Sequence, residues 1–267
     1  MEYMSVFLVY CILGAVAGVL AGLLGIGGGT VVVPMLVFAF EWQHIPPAVL
    51  MHLAIGTSLA SIMFTAVSSA LAHHRRGAVD WTVVKYISLG ILAGTWGGSF
   101  VAAHIPARFL QLFFVVFLFY VAANMLLNKA PSPTRRLPGM AGMTAAGLAI
   151  GGISSLVGIG GGTLSVPFLV WHNVDMKRAV GTSAAIGFPI ALAGTAGYVF
   201  NGLHSPALPE YALGYVYLPA LAGIVVVSML TAPLGASIAH RLPVPKLKKF
   251  FAFFLMAVAL KMLSSAL

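Results

Sequence analysis

Acidic side chains are nearly missing from this sequence. Only five Asp and Glu occur in 267 residues, and together with 14 Lys and Arg they bring the charged share to 7%. A soluble domain carries about 25% charged residues to meet water. A chain that is 60% hydrophobic, with mean hydropathy +1.03, has no such surface, so its outer solvent is lipid. Cysteine is just as scarce. Cys11 stands alone, which excludes an internal disulfide and a cysteine-based zinc site. Its place in the first apolar run reads as a buried, inert thiol. A P-loop lysine is missing, and the glycine runs do not complete GxGxxG, because Thr30 and Thr163 take the last place. There is no carboxylate pair, no HExxH and no Ser/His/Asp arrangement in a motif context. The expectation is a protein that is not an enzyme and that uses no cofactor or metal.

The missing carboxylates also narrow the chemistry. Glu2, Glu41, Asp80, Asp175 and Glu210 all lie at ends or in loops, never in the middle of an apolar run. That argues against a carboxylate proton relay or a sodium site, and it agrees with an anionic substrate. His52 is the histidine set clearly inside an apolar run, four residues before Gly56. It is a candidate protonation site, although a hydrogen-bonded structural histidine is the plainer reading. Asn124, deep in its run, is expected to bind a neighbouring helix.

What the chain does contain is a series of apolar runs, at 5–24, 30–40, 48–72, 81–103, 107–127, 138–157, 163–171, 179–200, 212–238 and 246–265. They are continuous rather than alternating, which favours helices over strands. The runs at 30–40 and 163–171 fall short of the roughly 20 residues a crossing needs. They could be re-entrant half-helices, giving eight crossings, or parts of tilted hairpins, giving ten. The first run follows Met1-Glu2-Tyr3-Met4 with no basic stretch before it, so a retained helix is expected. The net charge of +9 sits mostly in short loops between runs. That is the distribution of a bilayer protein and not of a nucleic-acid binder.

The strongest organisational signal is an internal repeat. Gly25-Ile26-Gly27-Gly28-Gly29-Thr30 with Pro34 recurs as Gly158-Ile159-Gly160-Gly161-Gly162-Thr163 with Pro167. Gly56-Thr57-Ser58 recurs as Gly181-Thr182-Ser183, and Ile105-Pro106 as Leu242-Pro243. We therefore divide the chain into a first repeat (1–130), a basic cytoplasmic linker (131–137) and a second repeat (138–267), forming one transmembrane unit. The basic loops at 73–76, 129–136, 177–178 and 241–249 should be cytoplasmic, and those at 41–44 and 201–210 external. Equivalent loops then fall on opposite sides, so the repeats are inverted and both termini lie outside. Arg108 alone fits this poorly.

The glycine clusters break any regular helix, since each glycine costs about 1 kcal/mol relative to alanine. In an inverted repeat, such paired breaks point to a midplane site where helix N-termini offer N–H groups to an anion. The candidate substrate-binding set is Gly25, Gly27, Gly28, Gly29, Thr30, Pro34, Thr57 and Ser58, with Gly158, Gly160, Gly161, Gly162, Thr163, Pro167, Thr182 and Ser183. The Gly14/Gly18/Gly22 and Gly90/Gly94/Gly98 ladders instead read as close helix packing, because a spacing of four places small residues on one face.

The doubled GIGGGT with its proline, each followed by GTS, resembles the TauE/SafE sulfite-exporter family. So does His74-Arg75-Arg76-Gly77-Ala78-Val79-Asp80-Trp81. The resemblance covers nearly the whole chain. It implies a membrane transporter of sulfite or of sulfonates such as sulfoacetate, with the same residues around the substrate. The expected function is a secondary exporter of a small sulfur-containing anion working by alternating access. A passive anion channel or a scaffold without flux are the alternatives. The expected partners are the anion and the lipid bilayer, and a homodimer is left open. No ATP-binding motif is present, so a gradient or a separate subunit would drive transport.

Overall fold

The computed structural model describes residues 2–24, 28–127, 136–239 and 244–266. Among them the apolar runs become ten helices. The first five are α1 (Glu2–Leu24), α2 (Gly29–Trp42), α3 (Pro47–Arg75), α4 (Trp81–His104) and α5 (Ala107–Leu127). The second five are α6 (Met140–Val157), α7 (Gly162–Trp171), α8 (Met176–Gly202), α9 (Leu218–Ala239) and α10 (Val244–Ala266). The chain is an all-α integral membrane protein. Among the described residues α3, α4, α5, α6 and α8 are long and apolar enough to cross a bilayer. With 14 and 10 residues, α2 and α7 rise only about 21 and 15 Å, short of the roughly 30 Å hydrocarbon core.

Local chemistry sets the helix ends. Pro47 opens α3, where its missing N–H costs nothing. Asp80 caps α4 by accepting from the Thr82 and Val83 N–H groups at 3.2 Å. Asp175 caps α8 through the Lys177 N–H at 2.9 Å. Two of the scarce carboxylates therefore serve as caps. The apolar run expected over 212–238 does not begin as a helix. Gly214 takes φ +54° and allows a small hairpin, β1 (Ala212–Leu213) against β2 (Val216–Tyr217), before α9 starts.

The α3 and α8 helices form the centre. Their most apolar stretches are 78% and 56% buried, against 39% for those of α4, α5 and α6. They run antiparallel. Arg178, in the first turn of α8, pairs at 3.4 Å with Asp80 beyond the end of α3. At the other end Gly202 lies against the Gly214–Tyr215 backbone, which also meets Gly56 of α3. Around this pair, α1 packs on α9 and α6 on α4, while α4 packs on α8 and α9 on α3. The short helices α2 and α7 lie on α3 and α8, and α5 lies along α10. The pairings named here are exchanged when the first five helices are swapped for the second five, while α3 also packs on α5 and α1 on α2.

The glycine ladders are helix seams. Cβ atoms added at Gly90 and Gly94 would collide with the Thr144 and Leu148 carbonyls of α6. In α1, one at Gly14 would sit 2.9 Å from Ile224 Cα, and one at Gly18 2.7 Å from Ser228 Cα. With apolar lipid outside, helices associate by such close backbone approach. Two single-residue expectations change. Cys11 is half-buried rather than enclosed. Asn124 is exposed near the end of α5 and has no hydrogen bond among the described residues, so its position on the outer face leaves it no helix to bind.

Candidate functional site

The second glycine break is built by one backbone reversal. Gly158 ends α6 in the left-handed region, with φ +71°, and its N–H bonds the Ser154 carbonyl at 2.8 Å. A side chain there would be strained by its φ and would press on Val33 and on the Ile55 backbone at 3.0 and 3.1 Å. After three further residues α7 begins. The first turn of α2, from the other half, packs directly on this break. A Cβ at Gly29 would lie 2.6 Å from the Gly158 carbonyl oxygen and 2.8 Å from Ile159 Cα. Ile62 of α3 touches both breaks, 3.1 Å from the Cβ position on Gly29 and 3.3 Å from that on Gly160. Gly161 rests on α8, where a Cβ would stand 2.8 Å from the Ser183 carbonyl and 3.3 Å from the Gly187 N.

Gly28, Gly29 and Thr30 are thus brought together with Gly158, Gly160, Gly161, Gly162 and Thr163 between α3 and α8. Gly25 and Gly27 lie outside the described residues. Neither short helix has a side-chain cap, since the N-cap positions are Gly28 and Gly161. Pro34 and Pro167 occupy matching places inside α2 and α7. Each removes the N–H that would bond the carbonyl four residues earlier, at Thr30 and Thr163. Uncapped N–H groups and two helix dipoles, each equivalent to about half a positive charge, suit an anion.

The hydroxyls near this site divide into two sets. Thr163 Oγ1, Ser165 Oγ and Ser183 Oγ are buried, with no hydrogen-bond partner among the described residues. Ser58 is engaged, donating to the Gly158 carbonyl at 2.8 Å and so bracing the break. Thr57 and Thr182 face loops. Thr57 Oγ1 accepts the Tyr217 N–H at 2.9 Å, and Thr182 Oγ1 accepts the Asp80 N–H at 2.9 Å. His52 is buried beneath the same hairpin, stacked on Tyr215 at 5.1 Å between ring centroids. Its Nε2 lies 3.0 Å from the Ala102 carbonyl, which can only accept. The ring proton therefore sits on Nε2, and the lone pair on Nδ1 has no partner among the described residues.

Sequence reasoning missed Ser165, Ile62 and Tyr217. Ser165 stands opposite Val32 in the repeat, so recurrence could not reveal it, and Ile62 looks like any apolar helix residue. The basic loop has its own tie, a hydrogen bond from Trp81 Nε1 to His74 Nδ1 at 3.1 Å.

The sulfite exporter TauE/SafE family model matches residues 10–262. The chain belongs to the sulfite exporter TauE/SafE family. This TauE/SafE protein is accordingly a multi-pass membrane transporter. It is 39% identical to a "Probable membrane transporter protein" of Haemophilus influenzae, over 97% of this chain and 99% of that one. A protein of the same description from Methanocaldococcus jannaschii is 27% identical over 98% and 97% of the two chains. One from Bacillus subtilis is 30% identical over 73% and 79%. No solved structure matches this TauE/SafE chain.

Proposed function

We propose that this TauE/SafE protein is a secondary transporter exporting a small sulfur-containing anion, sulfite or an organosulfonate of the sulfoacetate kind. The observation that carries this reading is the packing of the first turn of α2 on the break between α6 and α7, with Ile62 touching both, so that two uncapped helix starts flank one region. An oxyanion there would accept backbone N–H groups near Gly28 to Thr30 and Gly161 to Thr163. The open hydroxyls of Thr163, Ser165 and Ser183 would complete its shell. Ser58 holds the break in shape through Gly158. The repeats 1–130 and 138–267 would be inverted about this site and would rock around it, with the basic loops inside and both termini outside. The helix pairings that exchange between the halves, and the matched pairs Thr57–Tyr217 and Thr182–Asp80, support two equivalent halves.

The deciding experiment is uptake of labelled sulfite into proteoliposomes, with unlabelled sulfoacetate, taurine and sulfate as competitors. Saturable, competed flux with counterflow is expected, and the competition order names the substrate class. Non-saturable flux would instead favour a pore, and a flat trace for every anion would end the transport reading for this substrate class. Repeating the assay under a pH gradient with His52→Gln asks whether the open Nδ1 carries a coupling proton. If it does, the variant loses acceleration by the gradient but keeps exchange at equal pH. Ser183→Ala is expected to raise the half-saturating sulfite concentration about fivefold, the loss of one hydrogen bond to a charged ligand. An unchanged value removes Ser183 from the shell.

A further inference from the structure

Each Gly-Thr-Ser motif holds a loop at one end of the α3–α8 pair, by the same two contacts. In the first, a Cβ at Gly56 would collide with the Tyr215 carbonyl, and Thr57 Oγ1 accepts the N–H of Tyr217, two residues further on. In the second, a Cβ at Gly181 would collide with the Ala78 carbonyl, and Thr182 Oγ1 accepts the N–H of Asp80, again two residues on. The bare glycine lets the loop backbone lie on the helix, and the threonine takes the N–H it brings. Tyr217 directly precedes α9, and Asp80 directly precedes α4. Each contact therefore fixes the start of a helix that packs on the far half's α1 or α6 neighbour as well as on the central pair. Because α3 and α8 are antiparallel, the two contacts close opposite ends of the molecule. The first end is reinforced by His52 stacked on Tyr215, the second by the Arg178–Asp80 pair.

We infer that Thr57 and Thr182 are the positioning residues of two opposed gates for transport, rather than ligands of the transported anion. Both gates are shut in this structure. Each threonine oxygen sits 2.9 Å from the loop nitrogen it holds. Releasing the Thr57 contact frees the hairpin and the start of α9, opening the glycine breaks toward the Glu41–His44 end. Releasing the Thr182 contact frees the start of α4 and opens them toward the Arg75–Arg76 end. Ser58, the next residue, holds Gly158, so the first gate is one residue from the break it guards. This division of labour rests on the breaks being the substrate site, as proposed above, but its test needs no substrate.

The test places one reporter at the junction of the breaks, Ile62→Cys, in a chain whose Cys11 is replaced by serine. A membrane-impermeant maleimide is applied to either face of oriented vesicles. Thr57→Val keeps the shape and removes the acceptor, so labelling from the Glu41–His44 face is expected to rise about tenfold, with little change from the other face. Thr182→Val should give the reverse. Thr57→Ser and Thr182→Ser keep the hydroxyl and should label like the parent. Gly56→Ala and Gly181→Ala lever the same loops off by another route, so they should reproduce the sidedness of the matching valine variant even if one valine variant folds poorly. Equal exposure from both faces, or no change in any folded variant, overturns the inference. If sidedness splits while sulfite uptake is flat, the gates stand and the substrate reading fails. If uptake is competed and saturable while sidedness does not split, the gates alone fail.

Discussion

Gly161→Leu is expected to abolish sulfite flux, by about a hundredfold or more, while the protein still inserts and purifies as a single species. The first carbon of the new side chain would stand 2.8 Å from the Ser183 carbonyl and 3.2 Å from Ile186 Cγ2, and the rest of leucine has nowhere to go. The side chain would push α7 off α8 and displace the N-terminus of α7 from the break. Because the break lies between helices and not in a long helix seam, the bundle should survive the displacement. Gly29→Val should act alike from the other half, since its Cβ would lie 2.6 Å from the Gly158 carbonyl. The control is Gly97→Leu in α4, where nothing lies within 4 Å of the added carbon. Full flux by both break variants would remove the glycine breaks from the transport path.

Gly94→Leu is expected to act on stability instead. The α4 and α6 helices run side by side in register, with Gly90 on the Thr144 carbonyl, Gly94 on the Leu148 carbonyl and Gly98 on Ser155. Backbone cannot yield as a flexible side chain can, so the helices must part along the seam. Overpacking of this kind costs about 3 kcal/mol. In lipid no hydrophobic force returns the helices to contact, so the loss is felt in full. Reversible unfolding in mixed detergent should show a lower midpoint for Gly94→Leu, with Gly97→Leu within about 0.5 kcal/mol of the parent. An unchanged midpoint for Gly94→Leu would mean that the ladder is not what joins α4 to α6.

Much of the fold was legible because lipid enforces simple rules. Backbone groups in hydrocarbon must bond within their own segment, so each long apolar run had to become a helix, and α3, α4, α5, α6 and α8 follow their runs closely. The exception, the late start of α9, is a loop matter. Residues 212–217 are apolar enough for a helix, but Gly214 turns them into a hairpin. Asn124 misled for a related reason. Its position along the run was plain, while the face of α5 on which it would stand was not.

The candidate site divides along the same line. Composition determined the membrane, and glycine spacing determined the seams and the breaks, because backbone cost and close packing depend on residues near in sequence. What the amino-acid order left undecided is which polar group meets which. The two hydroxyl pairs of the repeated Gly-Thr-Ser motif look alike as text. Only the folded chain gives Ser58 to a carbonyl 100 residues away, Thr57 to an N–H 160 residues away, and Thr182 to one 102 residues away, while Ser183 has no partner among the described residues. Hydrogen bonds act over about 3 Å, and which partner comes that near is settled by how α3 and α8 cross and by the loops laid over them. Tertiary structure therefore made the gates, from letters the sequence had already repeated.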